Sequence, residues 1–126
     1  MIFVSRLNKP KYLKQIVHKD SRGSLTEIFL RKKIKFNFCK SITVTSKKNV
    51  IRGFHFQSKF QQAKFVTVLK GRILDYVVDL RKKSKTFGKS LCIVLSEDNC
   101  KSLYIPECFG HAYYSFSSLN IIYYKL

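Results

Sequence analysis

His55 and His111, Tyr124, Lys64 and the acid pair Asp75 and Asp79 are the residues of this chain whose types suit proton chemistry on a small molecule. A histidine titrates near neutrality, so it can take a proton and give it back, and a phenol can deliver one when a neighbouring charge tunes it. A histidine facing a phenol across a barrel makes a workable pair of general base and general acid. All these types are present, and strand periodicity limits which of them can face one cavity.

The run Val50-Ile-Arg-Gly-Phe-His-Phe-Gln57 alternates, with Gly53, His55 and Gln57 on one side and Phe54 and Phe56 on the other. A polar stripe of this kind can be the wet side of an ordinary sheet, but a glycine inside a strand marks a bulge or a close approach. Strict alternation puts Arg52 with the phenylalanines, so Arg52 joins His55 only if a bulge falls at Gly53. Gln62 and Lys64 share a side with Val66 and Val68. Over residues 72–80, Ile73, Asp75, Val77 and Asp79 oppose an unbroken apolar set of Leu74, Tyr76, Val78 and Leu80. That pattern fits a charge-paired barrel interior or a solvated strand face. Near the end of the chain His111 alternates with Tyr113, and Asn120 with Ile122 and Tyr124. The His111/Tyr113 and Tyr124 faces can therefore point into one cavity, although tyrosines also serve as amphipathic core or rim residues.

The elements that must carry these residues read as strands. Short runs of Val, Ile, Phe and Tyr recur between Lys, Ser, Asn and Gly, and none keeps a helical period. Strands are expected at 24–30, 34–38, 41–45, 50–57, 63–69, 72–80, 90–95, 102–105, 112–115 and 121–125, with hairpin turns at Lys70-Gly71 and Ser117-Ser118. Short strands at even spacing predict an all-β sandwich or jelly-roll barrel whose interior can hold a small ligand. A chain of 126 residues supports one core of ordinary size, so residues 1–126 are expected to form a single domain.

Composition narrows the function classes. A hydrophobic fraction of 45% with 14% aromatics excludes a largely disordered chain. The excess of 25 Lys and Arg over 7 Asp and Glu, a net charge of +18, attracts polyanions from nucleic acid down to a diphosphate-bearing small molecule. No nucleic-acid motif or continuous basic helix is present, so nucleic acid is not the expected partner. The groups Arg31-Lys32-Lys33 and Arg81-Lys82-Lys83 lie between apolar runs and read as turns. The four cysteines have no paired metal spacing, no secretory apolar region follows Met1, and no apolar run reaches about 18 residues. A cytoplasmic protein with reduced cysteines, no metal, no cofactor and no membrane association is expected.

Taken together, the segments resemble the dTDP-4-dehydrorhamnose 3,5-epimerase family, cupins that invert centres beside the C4 ketone of a nucleotide-linked 4-keto-6-deoxy sugar. Asp20-Ser-Arg22-Gly23 followed by Glu27 is similar to the family's D-x-R-G…E, and Val50 to Gln57 to its V-L-R-G-L-H-[FY]-Q. Gln62-Ala-Lys64-Phe-Val matches Q-x-K-L-V. The run from Gly71 through Asp79-Leu-Arg81 to Ser84-Lys-Thr86-Phe87-Gly88 follows in order, then Leu95-Ser96 with Asn99, and Tyr104-Ile-Pro106-Glu-Cys-Phe109-Gly-His111. In the last of these, Cys108 stands where the family has glycine.

The resemblance implies a cupin-type jelly roll of antiparallel strands that acts on a dTDP-linked 4-keto-6-deoxy sugar in surface-polysaccharide or deoxysugar biosynthesis. It implies that His55 is the base, Tyr124 the acid on the opposite sugar face, and Lys64, with Arg52, the cation at the enolate oxygen. Arg22 and Glu27 hold the nucleotide, Gln57 and His111 line the substrate site, and the family's N-terminal strands imply a homodimer. The family pairs its base with an aspartate downstream of the matched tyrosine, and Asp75 and Asp79 are candidates to orient His55 in its place. Two further readings stay open. One is a dTDP-4-keto-6-deoxyhexose 3,4-ketoisomerase, although His55-Phe-Gln57 lacks the second histidine of that family's H-A-H signature. The other is a cupin that binds the sugar nucleotide without catalysis.

Overall fold

The computed structural model describes residues 9–34, 37–55 and 62–126, with His55 described through its backbone, and among them all regular structure is β. The strands are β1 (Lys11–Lys14), β2 (Ile16–Asp20), β3 (Gly23–Glu27), β4 (Ser41–Lys47), β5 (Ile51–His55), β6 (Lys64–Lys70), β7 (Arg72–Asp79), β8 (Ser90–Ser96), β9 (Lys101–Ile105), β10 (Phe109–Ser115) and β11 (Leu119–Lys125). They form a five-stranded sheet in the order β1-β9-β6-β11-β4, a four-stranded sheet β5-β10-β7-β8 and a separate hairpin β2-β3, with every pairing antiparallel.

From β4 onward the chain passes from one sheet to the other at each connection except β7 to β8. This is the winding of a jelly roll, and the core lies between the two sheets. Val66, Val68, Ile122 and Tyr124 from the five-stranded sheet meet Ile73, Val77, Ile93, Leu95 and Tyr113 from the four-stranded one. A second cluster of Ile34, Ala63, Phe65 and Tyr104, with Phe29, Phe38 and Leu13 against it, covers the outer face of the larger sheet. That covering explains why β6 is buried on both sides and reads as a continuous apolar run.

Three expectations are corrected. Residues 34, 37 and 38 carry no strand; Ile34 and Phe38 instead pack as side chains in the outer cluster. Strands β1 and β2, KYLK and IVHKD, were not expected, because neither buries a full apolar face and each is partly exposed along its length. Lys70-Gly71 and Ser117-Ser118 are corners between sheets rather than hairpins, since β6 and β11 lie in one sheet and β7 and β10 in the other. Asn120 holds both corners: its Oδ1 accepts from Arg72 N at 3.0 Å and Ser117 N at 3.3 Å. Gly71, at φ +84°, leaves room for that amide, because a Cβ there would fall 2.5 Å from Asn120 Oδ1. Cys108 also sits at positive φ, +69°, the backbone condition under which glycine is the usual residue.

Candidate functional site

The site is built around an irregularity in β5. His55 lies opposite His111 and Arg52 opposite Tyr113, so three steps on β5 are matched by two on β10. The extra residue is a bulge at Gly53, whose φ is +110° and where a Cβ would stand 2.5 Å from His111 O and 2.7 Å from Ala112 Cα. Only glycine allows the strands to approach this closely. The bulge brings Arg52 into register with Tyr113, which faces inward, as strict alternation from His55 would not.

The face of β7 that carries Asp75 and Asp79 is the interior one. Ile73, Asp75, Val77 and Asp79 are buried, whereas Leu74, Tyr76 and Val78 face outward to varying degrees. Between the sheets, His111 Nε2 and Asp75 Oδ1 are 2.5 Å apart, with the two residues 4% and 0% exposed. The other oxygen of Asp75 has no hydrogen-bond partner among the described residues. A buried carboxylate oxygen left this way favours a cation or donor beside it. Lys64, half-buried on β6, is close enough for its charge and that of Asp75 to act on each other; burial pulls its ammonium below the ordinary lysine range and Asp75 partly restores it.

Tyr124 completes the cluster from β11, its ring edge-on to His111 with centroids 6.0 Å apart. Burial pushes its phenol far above the usual tyrosine range, the charges of Asp75 and Tyr113 push the same way, and Arg52 opposes them. Tyr124 therefore carries its proton at any physiological pH and has one to donate. Tyr113 Oη lies 2.6 Å from Ser46 Oγ, which also accepts from Arg52 Nε at 3.0 Å, while Arg52 Nη2 donates to Thr45 O at 3.3 Å. Sequence reading did not place Tyr113 and Ser46 among the site residues. Alternation did group Tyr113 with His111, but no sequence signal pointed to Ser46.

Not every candidate joins the cluster. Asp79 accepts from Arg81 N, Nε and Nη2, from Ser84 Oγ and from Thr86 Oγ1, and these bonds, led by that of Arg81, hold its carboxyl well below the usual range. Both its oxygens are spent on shaping the β7–β8 loop, so Asp79 is not available to orient His55. Asp75 points its Oδ1 to His111. Arg22 is at the tip of the β2-β3 hairpin, bonded to Asp20 and almost fully exposed, and Glu27 pairs with His18 at 2.8 Å. Glu27 also borders a small cleft with Gln15, Phe65 and Ser102, on the side of the larger sheet away from Tyr124. Within one chain neither residue is grouped with Lys64 and Tyr124. Gln57 and the side chain of His55 lie outside the described residues. Among the described residues, no three His, Cys, Asp or Glu side chains are grouped to hold a metal ion, and no helix is long and apolar enough to cross a membrane.

An antiparallel jelly roll that turns ionisable side chains toward the space between its sheets is a cupin-type barrel suited to acid-base chemistry. The family model for dTDP-4-dehydrorhamnose 3,5-epimerase matches residues 5–126. A dTDP-4-dehydrorhamnose 3,5-epimerase of Methanothermobacter thermautotrophicus is 37% identical over 114 residues, covering 86% of this chain and 62% of its own. Among solved structures, a dTDP-6-deoxy-D-glucose-3,5-epimerase of Legionella pneumophila in complex with dTDP-4-keto-L-rhamnose superposes with a TM-score of 0.89 at 33% identity, covering 95% of this chain and 67% of that one. The dTDP-4-dehydrorhamnose 3,5-epimerase of Bacillus anthracis with TDP and pyrophosphate bound gives 0.88 at 32%, covering 97% and 75%. The chain belongs to the dTDP-4-dehydrorhamnose 3,5-epimerase family, and it spans 62% of the length of the Methanothermobacter relative.

Proposed function

We propose that this protein epimerises a dTDP-linked 4-keto-6-deoxyhexose in deoxysugar biosynthesis, working in the cytoplasm as a homodimer. The observation that carries the reading is the meeting of Lys64, the His111–Asp75 pair and Tyr124 between the two sheets. His55, across the strand pair from His111, removes the proton next to the C4 ketone. Lys64 stabilises the oxygen on which the enolate charge develops, and Tyr124 returns a proton from the opposite face of the ring. The base and the acid must stand on opposite faces for the centre to invert, because a single group acting alone returns the proton to the face it came from.

His111, held by Asp75, lines the sugar pocket, while Arg52 and Gln57 contact the substrate. Arg22 and Glu27 serve the nucleotide in the pocket of a second copy, a role supported by their place on a hairpin that pairs with neither main sheet of its own chain. The same hairpin leaves Leu25 62% exposed, as suits a surface that another subunit covers.

Product analysis tests the reading. Incubation with dTDP-4-keto-6-deoxyglucose should yield a sugar nucleotide inverted at C3, C5 or both. A product with the ketone moved to C3 would instead identify a ketoisomerase, and binding without any product would identify a cupin that has kept only the pocket.

A further inference from the structure

We propose that Asp75 is the positioning residue of the site, one carboxylate oxygen fixing the ring of His111 and the other serving as the counter-charge that keeps the Lys64 ammonium charged and turned into the barrel. The inference rests on the epimerase reading above and adds to it the group that holds the enolate cation ready. Its basis is what each oxygen of Asp75 meets. Oδ1 stands 2.5 Å from His111 Nε2, a diagonal contact, since the register partner of His111 on β7 is Val77. That contact fixes the imidazole ring. Oδ2 is fully buried and bonded to no described residue. A buried carboxylate with one oxygen unspent is costly unless a positive charge acts on it.

The groups that face Asp75 decide where that charge comes from. On β10 they are His111 and its register partner Tyr113, on β11 Tyr124, on β5 Arg52 with His55 across from His111, and on β6 Lys64. Strands β8 and β9 present apolar side chains there, Ile93 and Leu103. Arg52 and Tyr113 both meet Ser46, and Arg52 also donates to Thr45 O. Tyr124 keeps its proton and has no charge to give. Lys64 remains. It leads the interior side of β6, ahead of Val66 and Val68 in the core, and among the described residues its ammonium has no ion pair. The carboxylate therefore acts on it through its charge, across an interior where such an influence stays strong. The direction agrees: burial draws the ammonium below the ordinary lysine range, and Asp75 raises it.

The test is a carbon NMR titration of the full chain carrying lysine labelled at Cε, with the Lys64 signal assigned by its loss in Lys64→Arg. Asp75→Asn should lower the Lys64 midpoint by about one pH unit or more, a roughly tenfold or greater change in the ratio of ammonium to amine. A midpoint that stays where the wild type has it would overturn the proposal. Lys64→Met reads the same pair from the other side and serves if Asp75→Asn does not fold. Its stability relative to the wild type, in urea titration, should improve as the pH falls from about 8 to about 5 and the stranded carboxylate takes up a proton. A difference that does not change with pH would equally overturn the counter-charge. Neither titration needs a substrate, so a lowered midpoint in a protein that turns over no sugar nucleotide would fell the epimerase reading and leave the counter-charge standing.

Discussion

Lys64 sits between two opposing influences: burial favours the neutral amine, and Asp75 favours the ammonium. Burial is the larger, so the cation is lost at a lower pH than the ordinary lysine value of 10.5. If this ammonium steadies the enolate oxygen, kcat/KM falls on the alkaline side as Lys64 deprotonates, with a limb below that value. Lys64→Arg, whose guanidinium stays charged, should shift the limb upward, and Lys64→Met should lower kcat/KM by about 100-fold or more while dTDP still binds. A pH-rate profile flat through the alkaline range would show that Lys64 is not the cation that matters. At the same scale, His111 and Asp75 illustrate what alternation can and cannot tell. The sequence pattern separates Asp75 and Asp79 from Leu74, Tyr76 and Val78, but it carries no sign saying which set faces the core. In this barrel the acidic set faces inward and the apolar set outward, the reverse of the usual assignment for a sheet with one wet face.

Elements follow the same division between what local chemistry fixes and what it leaves open. The bulge in β5 was readable from Gly53, because no other residue tolerates that approach to β10. Strands β6 to β11 were readable as well, since each carries enough Val, Ile, Phe or Tyr to show its period. The corners at Gly71 and Ser117-Ser118 were misread, because a tight turn has the same local composition whether it returns a strand to its own sheet or passes it to the opposite one. Only the pairing partners, fixed by long-range packing, distinguish the two. In the β7–β8 loop the ordering comes from one residue: Asp79 gathers Arg81, Ser84 and Thr86. Its carboxyl is held below the ordinary aspartate value of 3.8, so its stabilisation is present above about pH 4 and is lost as pH falls through the folded value. Asp79→Asn should lower stability at neutral pH by about 2–3 kcal/mol in urea titration. The mutant and wild-type stabilities should converge on acidification, and a constant gap down to pH 2 would mean the loop does not depend on that charge.

At the scale of the whole molecule, the proposed homodimer would bring together two chains of net charge +18 against mutual repulsion, so contact has to rest on surfaces low in charge. The β2-β3 hairpin offers such a residue in Leu25, at the centre of β3 and largely exposed. Sedimentation of the wild type should give a two-chain particle, and Leu25→Lys should shift it toward the single chain without lowering the melting temperature of the barrel. A wild-type protein that sediments as one chain at micromolar concentration would leave Arg22 and Glu27 without the pocket assigned to them. The family, the jelly roll and the gathering of Lys64, Asp75, His111 and Tyr124 between its sheets are what support the proposed proton exchange beside a ketone. The most direct measurement is proton NMR of dTDP-4-keto-6-deoxyglucose incubated with the protein in deuterium oxide. Deuterium should enter the sugar at C3, C5 or both, and His55→Asn should abolish that exchange. Unchanged ring-proton signals at protein concentrations high enough to reveal even slow turnover would contradict the account.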